Sequence, residues 1–180
     1  ALPKDKMKVA LKFMRYRDQF DRETQLRSSI KFSTDFVVAM TSFHDGDADP
    51  NYRKETNSKG YSIYPYLIAI AAADRDLQSA IQHENFAGRD MEQVRLIATQ
   101  ILRALEHLHD NGVIHGDVKP SNIVRHKNVF KFIDLGAAVR FKDFAGKGKV
   151  STGYMPPEMI FRKAVGFRKK PHSYIDNNKQ

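Results

Sequence analysis

The chain of 180 residues contains no cysteine and no tryptophan. Without cysteine there is no disulfide framework, no thiolate zinc site and no thiol nucleophile. Long hydrophobic runs are also missing, and no apolar stretch approaches the ~20 residues that a membrane-spanning helix needs. The first eight residues hold Lys4, Lys6 and Lys8 and no apolar core, so no secretory leader is expected there. These absences lead to the expectation of a soluble intracellular protein, cytoplasmic and without membrane association. What is present suffices for one folded domain, with 41% hydrophobic residues and 12 Phe and 7 Tyr to fill a core.

Unbalanced charge is scarce except in one place. The formal net charge is +9. Residues 140–170 carry nine basic residues against Asp143 and Glu158, which places seven of the nine net charges in that segment. A solvated face is the ordinary reading of such a run, and the stacking aromatics of a nucleic-acid sheet are not interleaved with it. No nucleic-acid partner is therefore expected. The histidines, among them His44, His83, His107, His109, His126 and His172, show no metal-ligand spacing.

Hydropathy patterning predicts a strand over 8–14, then a helix over 17–31 with Phe20, Leu26 and Ile30 at helical spacing and Asp18 and Asp21 near its start. Glu23 falls close to the apolar face of that helix. A strand is predicted over 36–40, a long exposed loop over 44–60, and a strand over 61–70. A short helix is expected to run from about 74–77 to His83. The clearest element is a helix over 91–110, where Met91, Val94, Ile97, Ala98, Ile101, Leu102, Leu105 and Leu108 follow the i, i+3, i+4 pattern. Asp90 with Gln93 signals its start and Asn111-Gly112 its end. Two short strands, 122–124 and 129–133, flank a turn over 126–128. Beyond Gly136 the chain reads as loop until a short helical stretch at 157–162.

Residues 113–124 read V-I-H-G-D-V-K-P-S-N-I-V, so Asp117, Lys119 and Asn122 share a loop between a helix and a strand. Such loops carry chemistry because a rigid scaffold positions them. Asp134, followed by Leu135-Gly136, adds a second carboxylate at the end of the next strand. Two carboxylates, a carboxamide and a lysine provide hard oxygen donors and a point charge, the set that a Mg²⁺-bound triphosphate needs.

The order H-x-D-x-K-P-x-N, then D-x-G, then T-G-Y-M-P-P-E at 152–158 resembles the signature set of eukaryotic-type serine/threonine protein kinase catalytic domains. Val9-Ala10-Leu11-Lys12 resembles the lysine strand of that family, and the strand ending at Ile70 with 71–74 resembles the segment joining its two lobes. The resemblance runs from residue 8 to about 162. It implies an α+β, bilobal, protein-kinase-like fold: a small antiparallel-sheet N-lobe with one helix and a mainly helical C-lobe. The implied division is a partial kinase domain over 1–180, with an N-lobe over 1–70 lacking the Gly-rich loop, a hinge over 71–77, and a C-lobe over 78–180 lacking its last helices.

Each role carries over as an implication of that resemblance. Asp117 would accept or orient the substrate hydroxyl, and Lys119 would neutralise the transferred γ-phosphoryl group. Asn122 and Asp134 would hold Mg²⁺, and Lys12, held by Glu23, would reach the α- and β-phosphates of ATP. Ile70 would be the gatekeeper, and the backbone of Ala71 to Ala73 would bind adenine. Lys119 and Thr152 match the serine/threonine branch. The implied partner is a protein substrate, with acidic flanks expected because the basic run lies in and after the activation segment.

Gly116 departs from the family, which has Arg there, so activity independent of activation-loop phosphorylation is expected. Lys12 and Glu23 are only eleven residues apart, closer than is usual. His-Gly-Asp also keeps a second enzyme reading open, a small-molecule phosphotransferase of the aminoglycoside or choline type. A third reading is a pseudokinase-like scaffold module, and the 180-residue piece alone is expected to transfer phosphate slowly or not at all.

Overall fold

The computed structural model describes residues 8–143 and 152–154. The chain divides into two compact units, Ala1–Lys149 and Val150–Gln180. Within the second unit the described residues form the single 3-10 turn Thr152–Tyr154. The helical stretch expected at 157–162, the rest of the T-G-Y-M-P-P-E segment and the basic run beyond Asp143 lie outside the described residues.

The first unit opens with strand β1 (Val9–Met14) and helix α1 (Arg17–Ser29), followed by strand β2 (Met40–Asp45), helix α2 (Pro50–Ser58) and strand β3 (Tyr66–Ala71). The three strands form an antiparallel sheet in the order β1-β3-β2, with Lys12 opposite Ile68 and Ala10 opposite Ile70. Cross-strand partners point to the same face, so Lys12, Ala10, Ile68 and Ile70 share one side of the sheet. A small cluster of Met14, Phe20, Tyr66 and Ile68 packs α1 onto that side.

The rest of the unit is mainly helical. Strand β4 (Arg75–Asp76) leads into α3 (Leu77–Glu84) and α4 (Met91–Asp110), then β5 (Val113–Ile114), the hairpin β6 (Ile123–His126) and β7 (Val129–Phe132), and β8 (Val139–Arg140). The strands pair as β4-β6-β7 and β5-β8. Each of these helices begins at an aspartate cap: Asp76 accepts from Ser79 N–H at 2.6 Å and Asp90 accepts from Gln93 N–H at 2.9 Å. The β6–β7 hairpin turns on Lys127 and Asn128, both at positive φ (52° and 63°), the geometry of a type I′ turn. The main core joins Ile97, Ala104 and Leu108 of α4 to Phe130, Phe132, Leu135 and Val113.

Four expectations need correction. The 44–60 segment is not one loop: Asp49 caps α2 by accepting from Asn51 and Tyr52 N–H, with Pro50 in the first turn. This helix escapes periodicity analysis because Thr56 is its one buried residue. Residues 36–39 are not a strand of the first sheet. Val37 and Val38 are instead buried in a connector, where Phe132 N–H donates to Phe36 O (2.9 Å) and Val38 N–H to Phe132 O (3.0 Å). The strand predicted over 61–70 starts only at Tyr66, because 61–65 forms turns. Met91, Ala98 and Leu102, expected on the core face of α4, are exposed, Met91 and Leu102 at 55% and 64%, since the face that packs runs through Val94, Ile97, Ile101, Ala104, Leu105 and Leu108. Among the described residues no helix is long and apolar enough to cross a membrane.

Candidate active site

The site begins with Glu23, whose position on the buried side of α1 leaves it 1% exposed. Its Oε2 accepts from Lys12 Nζ at 2.7 Å. The same ammonium donates to Asp134 Oδ1 at 2.6 Å, so one lysine on β1 links the helix to the turn that follows β7. Burial works against the Lys12 ammonium, yet the two facing carboxylates more than offset it and lift its pKa above the ordinary lysine value. The short Lys12–Glu23 separation in sequence is no obstacle, because α1 starts three residues after β1 and folds straight back over it.

Asp134 sits in the left-handed region (φ 57°, ψ 73°) and starts the 3-10 turn Leu135–Ala137. Its Oδ1 also accepts from Gly136 N–H at 3.2 Å, which steadies a backbone conformation that costs a non-glycine residue about 1–3 kcal/mol. Arg22 of α1 donates to the Gly136 carbonyl at 3.0 Å, a second tie between helix and turn.

Asp117, Lys119 and Asn122 converge on the neighbouring loop. Lys119 Nζ lies 2.8 Å from Asp117 Oδ2, and Asn122 Nδ2 donates to Asp117 O (2.8 Å) and Oδ2 (3.0 Å). Both protons of the Asn122 amide are thus engaged, which leaves Oδ1 as the atom it can offer a cation. Asn122 O accepts from Ile133 N–H at 3.0 Å, so the backbone places this loop beside the Asp134 turn. No group of three or more His, Cys, Asp or Glu able to cage a metal occurs among the described residues. One carboxylate and one carboxamide oxygen suit a hard cation that keeps water and phosphate ligands, as Mg²⁺ does.

His115 lies beneath this loop, 1% exposed. Its Nε2 donates to Ile133 O at 3.0 Å and its Nδ1 accepts from Asp117 N–H at 3.3 Å. Burial lowers its pKa below the usual 6.5 and outweighs the nearby carboxylates, so the ring is neutral and structural. Gly116 has φ 78°, and a Cβ there would sit 2.3 Å from the Ala137 carbonyl oxygen. Glycine at this position lets the loop approach the 3-10 turn.

A cleft of about 230 Å³ lies alongside, lined by Ala10, Ile70, Ala71, Ala73, Val124 and Ile133 among others. Ala10, Ile70 and Ala71 belong to the first sheet, Val124 to β6, and Ala73, Arg75, Asp76, Ser121 and Ile133 complete the lining. Ala71 N–H donates to Ala39 O and Ala72 N–H to Lys8 O, both at 3.0 Å. Lys12, Glu23 and Asp134 form one group, Asp117, Lys119 and Asn122 a second, and Ile70, Ala71 and Ala73 line the cleft, while Thr152 lies in the separate 3-10 turn Thr152–Tyr154. Sequence reasoning missed Arg22 and Arg27, although Arg27 stands four residues after Glu23, the spacing of an ion pair on one helical face.

Two outcomes follow from this packing. Gly116→Ala should lower stability by about 1–3 kcal/mol in chemical denaturation, and a neutral effect would contradict the close approach. The unfolded chain protonates His115 near its ordinary value while the folded chain resists. Stability from this group is therefore complete above that pH and declines as the pH falls below it. Wild type should lose more stability between about pH 7.5 and about pH 5.5 than His115→Gln does; equal losses would rule out a neutral buried ring.

Comparison with known proteins agrees with this geometry. The family model described as the protein kinase domain matches residues 2–174. A chloroplastic serine/threonine-protein kinase of Arabidopsis thaliana, STN7, is 35% identical over 101 residues, covering 54% of this chain and 16% of that protein. The mitogen-activated protein kinase HOG1 of Scheffersomyces stipitis is 40% identical over 89 residues, 47% of this chain and 23% of its own. The serine/threonine-protein kinase MPS1 of Saccharomyces cerevisiae is 28% identical over 119 residues, 63% of this chain and 15% of its own. The chain thus spans less than a quarter of the length of these relatives. With a family match across nearly all of its length, the chain belongs to the protein kinase domain family.

Proposed function

We propose that this chain carries the ATP-binding and phosphoryl-transfer centre of a serine/threonine protein kinase. The observation that carries the reading is the Lys12 ammonium held between Glu23 and Asp134 at 2.7 and 2.6 Å. A cation fixed by a buried carboxylate, two residues along β1 from the cleft-lining Ala10, is a receptor for phosphate oxygens.

The adenine ring enters the cleft between Ala10 on one side and Val124 and Ile133 on the other, with Ile70 at its back and 71–77 as the hinge between lobes. Since Ala71 and Ala72 N–H are engaged, adenine is left the Ala73 N–H and the neighbouring carbonyls. Lys12 meets the α- and β-phosphates, and Glu23 holds it there. Asn122 Oδ1 and the Asp134 carboxylate would hold Mg²⁺, which would supply neutralising charge for the phosphates. Asp117, kept in place by Asn122 and by His115 under its backbone, accepts or orients the attacking hydroxyl. Lys119, 2.8 Å from Asp117, stands where negative charge gathers on the transferred group. Its place two residues after Asp117 supports a serine or threonine acceptor. The seven net positive charges of residues 140–170 support a substrate with acidic flanks.

The test is transfer of a labelled γ-phosphate by the complete protein to Ser, Thr and Tyr peptides with acidic or basic flanks. Asp117→Asn should lower kcat by about 10²–10⁴-fold with nucleotide affinity retained, and Ser/Thr peptides with acidic flanks should be preferred. Transfer unchanged by Asp117→Asn would refute the assignment, and nucleotide binding without any transfer would favour a scaffold module.

A further inference from the structure

Glu23 has two carboxylate oxygens, and Lys12 occupies only one of them. The other, Oε1, accepts from both Nε and Nη2 of Arg27 at 3.3 Å. The Arg27 side chain is itself 6% exposed, and its remaining guanidinium nitrogen, Nη1, donates to Val38 O at 2.8 Å. Val38 N–H in turn donates to Phe132 O, two residues before Asp134. The contacts close a circuit from Asp134 through Lys12, Glu23, Arg27 and Val38 back to β7.

We infer that Arg27 is a positioning residue that fixes the Glu23 carboxylate, and through it Lys12, against the 36–39 connector. The inference rests on the reading of Lys12 and Glu23 given above, and deepens it. Three features carry it. Glu23 and Arg27 are one helical turn apart, so both leave α1 on the same face. Arg27 presents a planar fork that binds a carboxylate and a carbonyl at once, which lysine's single ammonium does less well. A carboxylate as buried as Glu23 also needs donors at both oxygens, because a charge left half-matched in the interior is costly. Glu23 without Arg27 would retain its bond to Lys12 but lose the link to Val38, and the helix could shift against the sheet.

The experiment measures acetylation of Lys12 by acetic anhydride in the complete protein, read by mass spectrometry. Lys131, 8% exposed with Nζ donating to Thr34 O at 2.6 Å, serves as the internal reporter of an intact fold. Arg27→Met should raise the Lys12 rate roughly tenfold while Lys131 stays slow, and Arg27→Lys should recover part of the protection. In a Glu23→Gln background, Arg27→Met should add little. An unchanged Lys12 rate, an equal rise at Lys131, or the same increment in the Glu23→Gln background would overturn the inference. Mg-ATP is added in a separate arm. If it fails to protect Lys12 in wild type while the variant pattern holds, the nucleotide reading fails and the role of Arg27 stands.

Discussion

Placing a carboxylate in a protein interior commits the fold around it, because the charge must be matched by cations and hydrogen bonds from whatever elements can reach it. Glu23 makes that demand here with 1% of its surface exposed. Lys12 answers from β1, Arg27 from the next turn of α1, and Asp134 completes the balance by taking the far side of the Lys12 ammonium. Two acids and two bases in mutual contact carry no net charge, so the cluster can sit partly out of water. It also sets the register of a helix against a strand and a turn that lie more than a hundred residues apart in sequence.

The remaining geometry extends from that anchor. Asp134 at positive φ accepts from the Gly136 amide, and Arg22 donates to the Gly136 carbonyl, so the turn beyond β7 is tied to α1. The catalytic-type loop is tied to the same strand by the bond from Ile133 N–H to Asn122 O and by the neutral ring of His115 beneath it. Gly116 has no side chain because the loop passes too near Ala137 to accommodate one. Its departure from the family's arginine thus has a local steric reason in this chain, independent of any regulatory consequence.

Much of this was legible in the sequence. The motif residues 115–122 and 134–136 lie in two short segments whose spacing is nearly rigid, so their order alone points to the chemistry. Helix α4 was legible to its ends because Asp90, the 3.6-residue period and Asn111-Gly112 all agree. Helix α2 was not, since a helix that buries only Thr56 leaves no apolar stripe, although Asp49-Pro50 carried a start signal. Val37 and Val38 have strand composition but serve as a buried connector paired with Phe132, a use that depends on a strand nearly a hundred residues away. The grip of Arg27 on Val38 O is invisible for the same reason: helical spacing predicts its ion pair with Glu23 but says nothing of what else lies within reach.

The central claim is that the cation held by Glu23 receives the nucleotide's phosphates. Calorimetric titration of Mg-ATP into the complete protein, with wild type and Lys12→Met compared, tests it most directly. The account predicts that affinity falls about tenfold or more when the ammonium is lost, as expected for removal of one charge-assisted contact. Equal affinities in the two proteins would contradict it.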